Sequence, residues 1–286
     1  MMQEKIAIVV DSGSDVNPAL QEKYHITSLP LQILIDDKEY TDGVDITRES
    51  LFAQIDHAKV STSLPAGQTI LDGFEKLKQE GYTHVIVVAI SSGLSGTYNV
   101  IKNLTLEVED LDFFVLDTKN ISLASGYHAL EAARLISEGH DFKTVIKKIE
   151  ATLDHSKVYF TVGTLDYLIR GGRIGLVAGT VANVLNIKPV ISCNPEGIYH
   201  TVSKVRGYKR VLTKMIDEAY DFAKDAKSCT VTLLNANSQE DLDKLLDYAK
   251  KKFTNARDVT LSNITPALAI HTGPEAMGIA VYRHED

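Results

Sequence analysis

Residues 84–99, His-Val-Ile-Val-Val-Ala-Ile-Ser-Ser-Gly-Leu-Ser-Gly-Thr-Tyr-Asn, decide the fold, because an apolar β-branched run stops abruptly in hydroxyls and glycines. Val85 to Ile90 read as a buried parallel strand, and the stretch from about Gly96 to Val108 reads as a helix. In open α/β sheets, ligands bind at the carboxyl ends of strands. Here that end carries Ser91, Ser92, Ser95 and Thr97, while Gly93 and Gly96 let the backbone come close. Free N–H groups at a helix start favour negative charge. The segment therefore reads as an oxygen-binding loop for an acid.

Working outward, short β-rich runs alternate with helical patterns. Ile6–Val10, Phe113–Leu116, Val158–Val162, Val190–Cys193 and Thr230–Leu234 read as further strands, most of them followed by amphipathic stretches. Helices are expected at Leu51–His57 behind a Thr47 cap, Leu71–Glu80 closed by Gly81, Ala124–Glu138 closed by Gly139, and Asp241–Phe253. Gln32–Tyr40 reads as a hairpin turned at Asp36-Asp37-Lys38, and Asn194-Pro195-Glu196-Gly197 as a turn leading into Ile198–Val202. Such alternation predicts an α/β protein with a largely parallel sheet. No internal repeat or low-complexity linker interrupts it. The domain boundary is expected near Leu153–Lys157, dividing the chain into an N-terminal α/β domain, 1–154, and a C-terminal α/β domain, 155–286.

Composition narrows the function. The chain has 286 residues, 44% of them hydrophobic and 24% charged, which is ordinary for a globular protein with a sizeable core. A net charge of −8 argues against a nucleic-acid partner, and an acidic ligand must be held by local groups. The start runs almost directly into a strand and no apolar run reaches the length of a signal or membrane segment, so a cytoplasmic location without a membrane span is expected. Cys193 and Cys229 lack metal or redox spacing and read as packing residues. Asp11-Ser12-Gly13-Ser14-Asp15 fits no metal loop and reads as a strand-to-helix turn. No Gly-x-Gly-x-x-Gly or Walker loop is present, so nucleotide binding has no sequence basis and no cofactor is expected.

Two other segments carry chemistry. Thr62-Ser63-Leu64-Pro65 pins the backbone in an extended form and orients hydroxyls just before a helix beginning near Gln68. Taken alone, this pattern serves helix capping more often than ligand contact, because Ser and Thr are common helix starters. Lys204, Arg206, Lys209 and Arg210 form a basic cluster just before or at the start of a helix. Positive charge there opposes the helix macrodipole, so stability does not explain it.

Ser91-Ser92-Gly93-Leu94-Ser95-Gly96-Thr97-Tyr98 resembles the signature of the DegV family, the fatty-acid-binding subunits of a bacterial fatty acid kinase. Asp11-Ser12, Thr62-Ser63-Leu64-Pro65, Leu168-Ile169-Arg170-Gly171-Gly172-Arg173-Ile174, Ile187-Lys188-Pro189, Lys204-Val205-Arg206-Gly207 and His271-Thr272-Gly273-Pro274 follow in the family's order. The resemblance spans the whole chain. It implies two α/β domains, the first Rossmann-like, enclosing one long-chain fatty acid between them. The chain would present the carboxylate to a separate ATP-dependent kinase for acyl phosphate formation and would not itself be catalytic. By the same resemblance Thr62, Ser63, Ser92 and Ser95 bind the carboxylate. His271 and Thr272 lie near it or face the partner, and Arg206, with Arg170 and Arg173, serves docking. The chain departs from the pattern at Glu275, where glycine is usual, at Leu64, and in a loop shortened by one residue at Ala66-Gly67. An inward-facing Glu275 would repel an acid.

The rival reading is a serine hydrolase. Ser95, Asp117 and His271 occur in the Ser, Asp, His order of α/β-hydrolases, with His271 expected where a strand reaches the surface or the cleft. The nucleophile motif fails, because Gly93-Leu94-Ser95-Gly96-Thr97 lacks the second glycine at its required position.

Overall fold

A computed structural model describes residues 4–180, 186–238 and 242–285. The first part of the chain forms Ile6–Asp11 (β1), Pro18–Tyr24 (α1), Ile26–Leu29 (β2), Gln32–Ile35 (β3), Lys38–Thr41 (β4), Arg48–Phe52 (α2) and Val60–Ser63 (β5). Gly67–Gln79 (α3), His84–Ala89 (β6), Thr97–Leu104 (α4), Asp112–Asp117 (β7), Leu123–Ser137 (α5) and Phe142–Ala151 (α6) follow. The second part forms Ser156–Thr161 (β8), Asp166–Arg170 (α7), Ile187–Cys193 (β9), Tyr199–Arg206 (β10) and Tyr208–Ala223 (α8). It ends with Ser228–Asn235 (β11), Leu242–Lys252 (α9), Ala256–Asn263 (β12), Pro266–Thr272 (α10) and Met277–His284 (β13). Asp241, the expected start of α9, lies outside the described residues.

The first sheet has the order β2-β1-β6-β7, parallel throughout, in a Rossmann-like arrangement. Its central strands β1 and β6 are buried nearly end to end, as their continuous apolar runs require. Asp11 fastens the carboxyl ends of these two strands. Its Oδ1 accepts from the Gly13 N–H at 3.0 Å and its Oδ2 from the Ile90 N–H at 2.8 Å. The Asp11–Asp15 segment is thus the expected turn, a 3-10 turn capped by Asp11. A small antiparallel sheet, β4-β3-β5, carries the expected hairpin, and Asp36 takes the left-handed conformation that its tight turn needs. Thr62 and Ser63 lie in β5, paired with Ile33 and Gln32, and not in a loop. The Thr47 cap stands, with Ser50 completing a capping box, but the helix behind it ends at Phe52 and not at His57.

The second sheet, β10-β9-β8-β13-β11-β12, departs from the parallel expectation. Only β11 and β12 run parallel; every other neighbouring pair is antiparallel. A parallel return needs a crossover about as long as the strand. The eight residues of β12 extend about 26 Å. The seven residues of α10 span only about 10 Å, so the chain re-enters the sheet from the same end and β13 runs against β11.

One apolar core joins the sheets, with Ile8 and Val88 from the first and Phe160 and Ile191 from the second. Helix α5 lies between them, which explains why Leu123 to Ala129 are all buried. The Tyr127 hydroxyl donates to Thr232 Oγ1 at 2.9 Å, tying α5 to β11. Cys193 and Cys229 are buried free thiols. Among the described residues, no helix is long and apolar enough to cross a membrane.

Candidate functional site

A cavity of about 230 Å³ lies between the two halves of the chain. Most of its wall is apolar, from Ile90 and Ile121 on one side and Val158, Phe160 and Leu234 on the other. Phe160 and Tyr199 meet edge to face at 5.0 Å and stiffen that side.

Polar groups enter this wall from four segments. β5 brings Thr62 and Ser63, the loop after β6 brings Ser95, the segment after α7 brings Arg173, and α10 brings His271 and Thr272. The Thr62 hydroxyl lies 2.8 Å from His271 Nε2. The Ser95 hydroxyl lies 2.8 Å from the Thr97 hydroxyl at the start of α4. Arg173 is tied to two backbone carbonyls, its Nη1 donating to that of Gly171 at 2.6 Å and its Nε to that of Leu94 at 3.4 Å. Burial, and secondarily the Arg173 charge, pushes the His271 pKa down to about 4, so the imidazole is neutral near pH 7. Neutral hydroxyls, one neutral imidazole and one guanidinium suit a carboxylate placed among them.

His271 stands in the last turn of α10, not at a strand end. Ser92 lies outside the cavity wall. Its hydroxyl accepts from Lys119 Nζ at 2.9 Å and its N–H donates to Asp117 Oδ1 at 3.1 Å. Asp117 is paired with Lys119 at 2.7 Å. The hydrolase arrangement is therefore not assembled: Ser95 faces Thr97, His271 Nε2 faces Thr62, His271 Nδ1 is buried without a partner, and Asp117 belongs to Lys119.

The cations separate into three environments. Arg173 lines the cavity. Arg170 reaches Asp56 at 3.4 Å and lies over the Tyr167 ring, whose hydroxyl also donates to Asp56 at 2.9 Å. Arg206, the last residue of β10, is exposed and makes no ion pair among the described residues. Glu275 is exposed, packs against Gly163 and is not part of the cavity wall, so no carboxylate from it faces an acid there.

Ser122 was not singled out in the sequence. It lines the cavity in a strained backbone conformation, φ 57°, and its hydroxyl donates to Asp15. Only the contact of Ser122 with a residue 107 positions away reveals it. A further join between the halves is the Asn194–Gly197 turn, which sits on the serine–glycine loop. The Ser91 hydroxyl donates to the Gly197 carbonyl at 2.8 Å, and a Cβ at Gly93 would lie 2.9 Å from the Glu196 and Gly197 carbonyls. Among the described residues, no three His, Cys, Asp or Glu side chains are grouped to hold a metal.

The model of a family described as an uncharacterised protein of the DegV family matches residues 5–284. A DegV domain-containing protein of Clostridium acetobutylicum is 39% identical over 280 residues, 98% of this chain and 99% of its own. Among solved structures, a DegV family protein from Thermus thermophilus described as fatty-acid binding superposes with a TM-score of 0.91 at 26% identity, covering 98% of this chain and all of its own (100%). A stearic-acid-binding protein from Eubacterium ventriosum superposes with a TM-score of 0.87 at 28% identity, covering 98% of each chain.

Proposed function

The chain belongs to the DegV family, and we propose that it encloses one long-chain fatty acid and presents the carboxylate to a separate ATP-dependent fatty acid kinase. The observation that carries this reading is the apolar cavity whose wall also carries Thr62, Ser63, Ser95, Arg173 and His271. Its relatives of known structure that bind fatty acids support it. About 15 methylenes at ~0.8 kcal/mol each give a gross gain of ~12 kcal/mol, reduced by the cost of association and ordering. The hydroxyls and Arg173 add hydrogen bonds to a charged group worth ~1.5–3 kcal/mol each.

In this reading the chain supplies binding and orientation, and the phosphoryl transfer belongs to the partner. Arg206 faces that partner, while Arg170 braces the rim through Asp56. The two halves divide between residues 154 and 155, where α6 has ended and β8 is about to begin.

Native mass spectrometry followed by denaturing extraction tests the reading. One long-chain fatty acid per chain is expected, and Thr62→Ala combined with Ser95→Ala lowers its retention. Unchanged occupancy and affinity in the double variant would remove these hydroxyls from the site. Hydrolysis of an ester that Ser95→Ala abolishes would replace the carrier reading with the hydrolase one.

A further inference from the structure

Helix α10 does not complete its own start. Thr265 at the N-cap makes no side-chain capping bond, and Pro266 has no N–H to donate. Two carboxylates from the first half of the chain take the nearby donors. Asp15 Oδ1 accepts from the Thr265 N–H at 2.8 Å, across 250 residues, and Asp42 Oδ1 accepts from the Ala267 N–H at 3.1 Å, across 225. Both acids are buried, 2% and 3% exposed. Asp15 is held in turn by the Ser122 hydroxyl on its other oxygen. A helix cap is ordinarily a residue of the same segment. Here it comes from the opposing half, so the start of the helix is fixed only when the halves are together.

The other end of α10 carries His271. Its Nε2 meets Thr62, but its Nδ1 has no partner and lies against Gly171, where a Cβ would come within 2.1 Å. No second hydrogen bond orients the ring. Its place is therefore set by where the helix stands. A seven-residue helix is a stiff rod of about 10 Å, so moving its start moves the ring and the Ala267 and Leu268 side chains that line the cavity.

We propose that Asp15 and Asp42 are positioning residues for the cavity: by holding the start of α10 they set the meeting of His271 with Thr62, and thereby the grip on the bound carboxylate. This rests on the fatty-acid reading of the cavity.

Two measurements test it, the rate of fatty acid release to acceptor vesicles and the ring nitrogen NMR signals of His271 in lipid-free protein. Asp42→Ala should release fatty acid about tenfold faster and shift the His271 signals. Asp42→Asn keeps an acceptor oxygen for Ala267 and should stay within about twofold of the parent rate, with the ring signals in place. Ile149→Val, a core trim in α6 away from the cavity, should move neither readout. Should Asp42→Ala not fold, Asp15→Ala, which spares the Asp42 bond, takes its place with the same expectation. Parent-like release and unshifted ring signals in the alanine variants would overturn the proposal. So would equal effects from Ile149→Val. If the parent protein takes up no fatty acid, the cavity reading fails by itself, and the ring signals still decide whether the carboxylates position His271.

Discussion

Arg206 gains nothing from the fold it stands on: it is exposed, at the end of β10, and unpaired among the described residues. Replacing it with alanine should alter stability by no more than ~0.5 kcal/mol and leave the fatty acid in place. On the proposed carrier reading, acyl phosphate formation with the kinase should nevertheless fall. Intact activity with the partner alongside lost lipid would move Arg206 from the docking surface to the pocket. Single residues were the hardest scale to read from the sequence. Thr62, Ser63, Ser95 and His271 were visible as hydroxyl loops and motif positions, but their convergence depends on a 2.8 Å contact across 209 residues. Ser92 and Ser95 look equivalent in the sequence, and only the position of Lys119 draws Ser92 away. Arg170 and Arg173 lie three residues apart, yet one turns to Asp56 and the other to the cavity.

Elements were more legible, because periodicity and caps are local. The strands β1 and β6, the hairpin β3–β4 and the Thr47 cap follow directly from their residue patterns. Helix α10 did not, since seven residues give too little periodicity to tell a buried helix from a strand. The antiparallel course of β13 against β11 and β8 depends on that short helix and was hidden with it. The contact of the Asn194–Gly197 turn with the serine–glycine loop makes a prediction at this scale. Gly93→Ala drives a Cβ to 2.9 Å from two backbone carbonyls that have no flexible side chain to yield. It should cost about 1–3 kcal/mol, measured by denaturant unfolding, and should speed fatty acid release. A change below about 0.5 kcal/mol would mean that the turn moves aside freely.

Across the whole molecule, buried acids and buried histidines pull the pH dependence in opposite directions. Burial, partly offset by hydrogen bonds from the Ile90 and Gly13 N–H groups to Asp11 and from Ser122 and Thr265 to Asp15, raises both acids to about 7. The folded chain holds these protons after the unfolded chain has released them. Their stabilisation is fully present below the ordinary carboxylate value of 3.8 and is lost as pH rises through about 7. A cleft bordered by Ser12, Asp15, Asp42 and Thr265 runs along the junction. His128, buried with both ring nitrogens unpartnered, and His271 are lowered to about 4, chiefly by burial. Their stabilisation is present above the ordinary value of 6.5 and is lost as pH falls through about 4. The two pairs offset each other across this window. His128→Leu removes one acid-side loss, so its thermal midpoint relative to the parent should climb as pH falls from 6.5 towards 4. A constant difference across that range would show that His128 takes up its proton equally well in the folded state. The seat of α10 also has a bearing on descent. The helix lies in one half of the chain and its anchors, Asp15 and Asp42, in the other, so neither half can pass on the grip by itself. Recombination at the joint between the halves would keep every sheet hydrogen bond and still draw anchor and helix from different parents, so the two segments serve the grip only as an inherited pair.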